Sequence, residues 1–600
     1  KCCKSFMRLA DYVVQFLEQK KINTVFTVSG GGSIFLCDAL YKAKKLKYIS
    51  CHHEQAVSFA AESYARSSNR TGCALVTTGP GGTNSVTGVT SSWIDSIPVI
   101  FISGQVFLNQ TIGSSKKRQI GVQEINIIDL VKPITKYSVM LTKAEEIRFH
   151  LEKAYYMCHS DRPGPVWIDI PANIQNSFVN EKKLKGFKAN FKNKSNTILD
   201  KKIKAAAKAL SEHDRPLIHL GHGVKLSNCE KIFKKFIKKF HIPFALTWNA
   251  DDFLESNHPL CIGRPGAFGA RGSNFIVQNC NLYLSIGTRL PYMVTGYDAK
   301  DFARCAKTKI MVDIDNNELK KKDMKLDLKI ACDARYFIEK LYKYMKDFKK
   351  NSDWINYCQK IRTKYPIVIS SMKKQKKYVN SHYFVDTLSE VLNKKDIIVT
   401  DMGFSFTSTH QAFKVKDGQT FYTNSGHAPM GWGLPASVGA FYGKKNIKRV
   451  ICLTGDGGLQ LNIQELATIM HNKIPVKIFI FNNGGYLTIK QTQQLGFDGR
   501  IMGSDKNSGL SFPNYKKIAE SHKFKYFNIK SNKKLKNTLK KIIYSKGASI
   551  CELVMDPNEE QIPKAINKRT SEGKTVPTKL EDMYPFLSKR ELNSNNYERS

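Results

Sequence analysis

The chain is 600 residues long and 42% hydrophobic, enough for about three to four domains with substantial cores. No apolar run approaches the roughly 18 residues that a membrane span needs. The formal net charge of +43 draws attention to polyanions, but the lysines are dispersed and no nucleic-acid motif accompanies them, so neither nucleic acid nor membrane is expected as a partner.

From Met7 onward the first residues are amphipathic and lack the hydrophobic block of a secretory signal, so a cytoplasmic protein is expected. The 14 cysteines include no C-x-x-C pair and sit mainly in apolar segments (Cys73, Cys452, Cys551), as reduced buried thiols do. Residues 1–180 read as a first alternating α/β domain. It has a helix from Leu9 to Lys20, a strand from Thr24 to Val28, the turn Gly30-Gly31-Gly32, and further strand–helix pairs up to Val166–Ile170. Within it, CHHEQAVSFAAESYAR (Cys51–Arg66) places Glu54 where a strand hands over to a helix, a position the helix dipole favours for any carboxylate. The glycine-rich stretch TTGPGGTNSVTG (Thr77–Gly88) follows the apolar strand Cys73–Val76. It has neither the lysine of a Walker loop nor a full G-x-G-x-x-G.

A lysine-rich link, Glu181–Lys194, leads to a second α/β region at 195–345. Its strand-like runs PLIHLG, IPFALTW, NLYLSIGTRL and TKIMVDID alternate with helical stretches such as Cys229–Phe240. A second basic link, Lys346–Lys377, precedes a third domain at 378–560, and a tail occupies 561–600.

The third domain carries the most informative stretch. The apolar run Val450–Leu453 reads as a buried parallel strand and stops at Gly455-Asp456-Gly457-Gly458. Apolar residues then recur at helical spacing from Asn462 to Met470. A second strand, Pro475–Phe481, ends in Asn482-Asn483. The carboxyl ends of neighbouring parallel strands face one crevice, so Asp456 and Asn483 are expected to converge. One carboxylate, one amide oxygen and a backbone carbonyl from about Gly485 make half an octahedron for Mg²⁺, which diphosphate oxygens and a water would complete. Glycines at 455, 457 and 458 let the backbone approach the diphosphate, and the helix that follows presents its positive end.

The complete pattern, GDG followed by 24 residues and then NN after a second apolar strand, resembles the thiamine diphosphate signature of the enzyme family that includes acetolactate synthase, pyruvate oxidase and oxalyl-CoA decarboxylase. The Glu54 segment is similar to that family's RHEQ-AAF-AAEGYAR motif, and Thr77–Gly88 to its TSGPGATN loop. DSIPVIFISGQV, VQEINIIDLVKPITKY and SGHAPMGWGLPASVGA (Ser425–Ala440) match three further family stretches. Together they cover Met7 to Leu587 in order.

The resemblance implies an α/β fold of three doubly wound parallel-sheet domains that bind the pyrimidine, occupy the middle, and bind the diphosphate. It implies that Glu54 hydrogen-bonds N1′ of the aminopyrimidine and so favours the tautomer that takes the proton from thiazolium C2. His53 is expected to be structural, and Gln123 becomes a substrate-side candidate. Met430 falls where an apolar wedge holds the two cofactor rings in a V, and Gly403, Phe404 and Ser405 fall at the diphosphate. Relatives hold FAD, an adenosine nucleotide or nothing in the middle domain. Gly221-His222-Gly223 stands near the family's glycine turn, whereas RLPYMVTG departs from RFDDRVTG and weighs against FAD.

The activity implied is that of a thiamine diphosphate- and Mg²⁺-dependent 2-oxoacid decarboxylase/carboligase similar to acetolactate synthase, acting as a homodimer or homotetramer. The alternatives are a decarboxylase or oxidase that releases its two-carbon unit, and a non-catalytic basic binding protein. Aligning NNGGYLTIKQTQQLG with NNQHLGMVMQWEDRF puts Thr492 at the family's acceptor-site tryptophan and Thr488 at a methionine. Ala172 replaces the lysine of DIPKDIQ. A wider, more polar acceptor pocket is therefore expected, unless Tyr486 or Phe497 refills the space.

Overall fold

The computed structural model describes residues 6–189, 197–346, 348–569, 574–576 and 578–597. Three six-stranded sheets, parallel throughout, follow one another along the chain. Thr24–Thr27 (β1), Lys47–Ser50 (β2), Gly72–Val76 (β3), Val99–Gln105 (β4), Tyr137–Met140 (β5) and Val166–Pro171 (β6) are ordered β2-β1-β3-β4-β6-β5. Strands such as β3 and β4 are buried along their whole length. That explains their continuous apolar runs, because helices cover both faces of such a sheet.

The middle sheet holds Pro216–Leu220 (β7), Phe244–Leu246 (β8), Cys261–Gly263 (β9), Leu282–Ile286 (β10), Thr308–Asp313 (β11) and Leu328–Ala331 (β12), ordered β9-β8-β7-β10-β11-β12. Its strand order reverses between β7 and β10, the point where doubly wound sheets open a crevice. The third sheet, from Ile397–Thr400 (β13), Thr420–Tyr422 (β14), Val450–Gly455 (β15), Val476–Asn482 (β16), Lys525–Ile529 (β17) and Ser549–Val554 (β18), runs β14-β13-β15-β16-β18-β17. This order repeats that of the first sheet.

The first and third domains share one apolar core, in which Phe59, Ala60 and Tyr64 meet Trp432, Leu434 and Val438. Helix Glu54–Ser68 lies so close to helix Gly433–Gly443 that a Cβ on Gly439 would sit 2.0 Å from the Ala60 carbonyl oxygen. The middle of the first helix is thereby held against the third domain.

Two segments differ from the sequence expectation. The stretch Lys346–Lys377 is not a bare link: helix Ser352–Lys364 buries Trp354, Cys358 and Ile361, and the Trp354 indole donates to the Pro216 carbonyl at 3.0 Å. Its apolar residues keep helical spacing among many lysines, and the lysines dominated the reading. The helix after the GDG is two pieces, Asp456–Leu461 and Glu465–His471, broken at Asn462. The tail packs back on the middle domain, where Leu580 and Met583 are buried and Asn274 donates to the Leu580 carbonyl at 2.9 Å. Part of the first lysine-rich link, residues 190–194, lies outside the described residues. Among the described residues no helix is long and apolar enough to cross a membrane, and the cysteines are free thiols, mostly buried.

Candidate functional site

Three strand ends meet on one side of the third sheet. Thr400 pairs with Leu453 and Gly455 with Phe481, so Asp401, Asp456 and Asn483 emerge side by side. Asp456 is buried. One of its carboxylate oxygens accepts the Gly457 N–H at 2.8 Å, and the other accepts the Gly485 N–H at 3.0 Å. The Asp456 carboxylate therefore ties the loop after β16 to the end of β15. Burial pushes its pKa up to about 7 although backbone N–H groups from 457 and 483–485 oppose the shift.

The amide oxygen of Asn483 is buried and has no hydrogen-bond partner. A buried acceptor with nothing to accept from is costly unless a cation or donor arrives. The set of one carboxylate, this oxygen and the nearby peptide carbonyls consists of hard oxygen donors, which is what Mg²⁺ takes. The residues present thus fit the cation expected from the sequence.

At the neighbouring strand end, Gly403 is exposed with φ +81°, a left-handed conformation that favours glycine, and it caps helix Phe404–Ala412 with open space above it. Phe404 and Ser405 turn their side chains inward, and the Ser405 hydroxyl donates to the Met402 carbonyl at 3.1 Å. What they offer the cleft is backbone N–H. The glycines of the GDG differ among themselves. Gly455 faces open space, whereas a Cβ on Gly457 would lie 2.0 Å from the Tyr486 ring and one on Gly458 2.8 Å from the Asp401 carboxylate. Only the first has open space beside it; the other two are bare because protein packs on them.

Asp401, which sequence reasoning passed over, underlies this arrangement. It accepts from the Met402 N–H at 2.8 Å, the Gly431 N–H at 3.0 Å and the Thr454 hydroxyl at 2.9 Å, and burial raises its pKa to about 6. It thus fixes β13, β15 and the loop carrying the half-buried Met430 relative to one another. A lone Asp directly after the run IIVT was the available signal.

In the first domain, Glu54 opens its helix and accepts from the Asn84 amide at 3.0 Å, while the His53 ring accepts the Gln55 N–H at 3.1 Å and caps the same helix. The expected structural role of His53 is what this geometry provides. Gln55 accepts from Asn462 at 3.1 Å, and Asn462 also donates to the Gly431 carbonyl at 2.9 Å. Asn462, freed by the break between two helices, therefore joins the residue after Glu54 to the residue after Met430.

Gln123 stands on an exposed loop with φ +66°, and its carbonyl oxygen would be 2.4 Å from a Cβ on Gly79. Both loops hang on Gln105. Its amide oxygen accepts the Thr78 hydroxyl at 2.5 Å, and its amide nitrogen donates to the Ile125 carbonyl at 3.0 Å and to Asp169 at 3.1 Å. The chain thus brings Asp456, Asn483 and Gly485 together around one point. Gln123 stands on an exposed loop of the first domain, against Gly79 and Thr78.

A second concavity, about 400 Å³, opens where the middle sheet reverses its strand order. His222 and Gly223 after β7, Thr288 and Arg289 after β10, and Asp313 at the end of β11 line it. The first domain contributes Asp95 and the third domain Ser425 and Gly426. The ring Nε2 of His222 and the amide oxygen of Asn249 are buried and unpaired, and burial lowers the His222 pKa to about 3.

Hard oxygen donors at adjoining strand ends and two domains of identical strand order agree with the class that the comparisons show, the thiamine diphosphate-dependent enzymes. Family models for thiamine pyrophosphate enzymes match in all three parts: the N-terminal binding domain over residues 7–129, the central domain over 203–341 and the C-terminal binding domain over 401–553. A probable acetolactate synthase large subunit of Methanocaldococcus jannaschii is 34% identical over 569 residues, covering 92% of this chain and 93% of that one. The acetolactate synthase large subunit of Lactococcus lactis is 29% identical over 553 residues (92% and 93% covered), and isozyme 1 of Escherichia coli is 29% identical over 556 (92% and 95%). The chain belongs to the thiamine pyrophosphate enzyme family, in its acetolactate synthase large subunit-like branch.

Proposed function

We propose that the protein is a Mg²⁺- and thiamine diphosphate-dependent carboligase that decarboxylates pyruvate and transfers the two-carbon unit to a carbonyl acceptor. The observation that carries this reading is the unpaired, buried Asn483 oxygen beside Asp456. Asp456, Asn483 and the Gly485 carbonyl would hold the cation, and the N–H groups opening helix Phe404–Ala412 would face the diphosphate. Thiamine diphosphate supplies the carbanion chemistry when bound. Glu54, kept in orientation by Asn84, would hold a proton at the cofactor's aminopyrimidine, and Met430, on a loop that Asp401 fixes, would pack against the cofactor.

Two copies complete the site in this reading. Val122, beside Gln123, is 86% exposed, and Ile489, Leu495 and Met502 of the third domain are exposed as well. Apolar side chains flanking the proposed substrate residues of both domains suit burial against a second copy as homodimer or homotetramer. The cavity of the middle domain suits a nucleotide, with Arg289 for its phosphates. FAD is the nucleotide that the resemblance brings forward, although Pro291 and Met293 stand on the wall where the family pattern has charged residues.

The acceptor pocket is the finer part of the proposal. Thr492 is exposed on helix Leu487–Gly496, its hydroxyl donating to the Thr488 carbonyl at 2.9 Å. Tyr486 does not refill the space, because its ring lies over Gly457 and against Phe512, 6.2 Å between centroids. Ala172 is buried and brings no charge to the mouth. These features support a wider and more polar acceptor pocket, with pyruvate retained as donor and a larger or more hydrophilic acceptor such as a keto-sugar. Competition of pyruvate against 2-ketobutyrate and a panel of keto-sugars, read by mass spectrometry, tests it. Mixed products including sugar adducts are expected, and efficient, exclusive acetolactate formation with strong 2-ketobutyrate preference would refute the wider pocket.

A further inference from the structure

Beneath the junction of the three domains lies a buried ionic cluster that the proposed chemistry does not use. Arg66 reaches Glu62 with Nε at 3.0 Å and Nη2 at 2.6 Å, and the same Nη2 reaches Asp95 at 2.7 Å. All three side chains are at most 2% exposed. A cluster this deep costs more to assemble than its Coulomb attraction returns unless every partner is held in place, so it is rigid where it is complete.

Both ends of the cluster lead somewhere specific. Glu62 accepts two bonds from the Asn424 amide, at 2.9 and 3.0 Å, and one from the Trp432 indole at 2.8 Å. Asn424 and Trp432 bracket the loop 425–431, so a single carboxylate pins both feet of the segment that carries Met430. That loop turns through two left-handed residues, Ala428 and Gly431. Its first residues, Ser425 and Gly426, form part of the wall of the middle-domain cavity. At the other end of the cluster, Asp95 lines the same cavity, accepts from Asn249 at 3.1 Å, and has its free oxygen 3.9 Å from Arg289 Nη2. Gly426 packs on that oxygen so closely that a Cβ would lie 2.2 Å from it.

We infer that the Glu62–Arg66–Asp95 strut and loop 425–431 couple the cavity of the middle domain to the cofactor cleft, so that an anionic nucleotide in the one and thiamine diphosphate in the other bind cooperatively. A phosphate that draws Arg289 into the cavity changes what faces Asp95, and Asp95 bears directly on Gly426 and through Arg66 on both feet of the loop. The linking element is the loop, whose first residues line the cavity and which carries Met430, the proposed wedge of the cofactor cleft. Glu62, Arg66 and Asp95 act as positioning residues, because none of them touches the reacting atoms. This inference rests on the nucleotide reading of the cavity given above.

Thermodynamic reciprocity supplies the test. Calorimetry on the full chain with Mg²⁺ measures thiamine diphosphate affinity with and without saturating FAD or ADP, and the affinity of each nucleotide with and without thiamine diphosphate. Each ligand is expected to tighten the other by the same factor, about five-fold or more. In Asp95→Asn the factor falls below about two-fold while both ligands still bind. Should that variant fail to fold by circular dichroism, Gly426→Ala, which presses on the same oxygen from the loop side, replaces it. Bound nucleotide with unchanged thiamine diphosphate affinity in the unmodified protein overturns the coupling alone. No binding of either nucleotide overturns the cavity reading and the coupling with it.

Discussion

Replacing Asp456 by alanine separates metal binding from folding. The Asp456 carboxylate is buried and its pKa is raised from 3.8 to about 7, so keeping it in the folded apoprotein at neutral pH costs about 4 kcal/mol. Asp456→Ala removes that cost. It also leaves the Gly457 and Gly485 N–H groups without their acceptor, at about 1–3 kcal/mol each. The two terms are of similar size and opposite sign, so apoprotein stability should change by no more than about 2 kcal/mol, a shift of a few degrees in melting temperature. Cation binding has no such compensation, because Asp456 is the sole carboxylate proposed for it. Scanning calorimetry of the apoprotein, with titration of Mg²⁺ and thiamine diphosphate, should therefore give a nearly unchanged transition and no measurable cofactor binding. Unchanged cofactor affinity refutes the metal assignment, and collapse of the apoprotein transition refutes the cancellation.

Glu54→Gln should keep cofactor binding but slow hydrogen/deuterium exchange at thiazolium C2 by orders of magnitude, since an amide cannot hold the proton at N1′; unaltered exchange in the NMR assay would remove Glu54 from the mechanism. Asp169 has its pKa raised by burial from 3.8 to about 7, so the folded state binds the extra proton and the stabilising contribution, complete below about pH 4, is lost as pH rises toward 7. Asp169→Asn should flatten the stability profile across that window in urea titrations, and an unchanged slope would contradict the assignment. Sedimentation at assay concentration should find activity only in dimers or larger species, and a fully active monomer would contradict a site shared between copies.

The three parallel sheets and the point where Asp456 meets Asn483 were legible because each depends on short local signals: apolar runs of strand length and polar residues directly after them. The repeated strand order was to be expected from the resemblance to the family, not from any repeat visible within the chain. What stayed hidden depends on partners far apart in the chain. Asp401 matters through Gly431 and Thr454, and Asn462 through Gln55 and the Gly431 carbonyl. Gln105 holds two loops at once, and Glu62 serves residues more than 360 positions away. No period or spacing in the sequence reports such bonds. Helix Ser352–Lys364 was obscured for a different reason, because lysines on its outer face outweighed Trp354, Cys358 and Ile361 on its inner one.

The central claim is that this chain ligates a two-carbon unit from pyruvate. Incubating the purified protein with pyruvate, thiamine diphosphate and Mg²⁺ and identifying the products by mass spectrometry tests it most directly. The account predicts CO₂ release matched by a carboligation product, acetolactate with pyruvate alone, and none when Mg²⁺ is chelated. Acetaldehyde or acetate as the sole product, or no turnover with both cofactors bound, would contradict it.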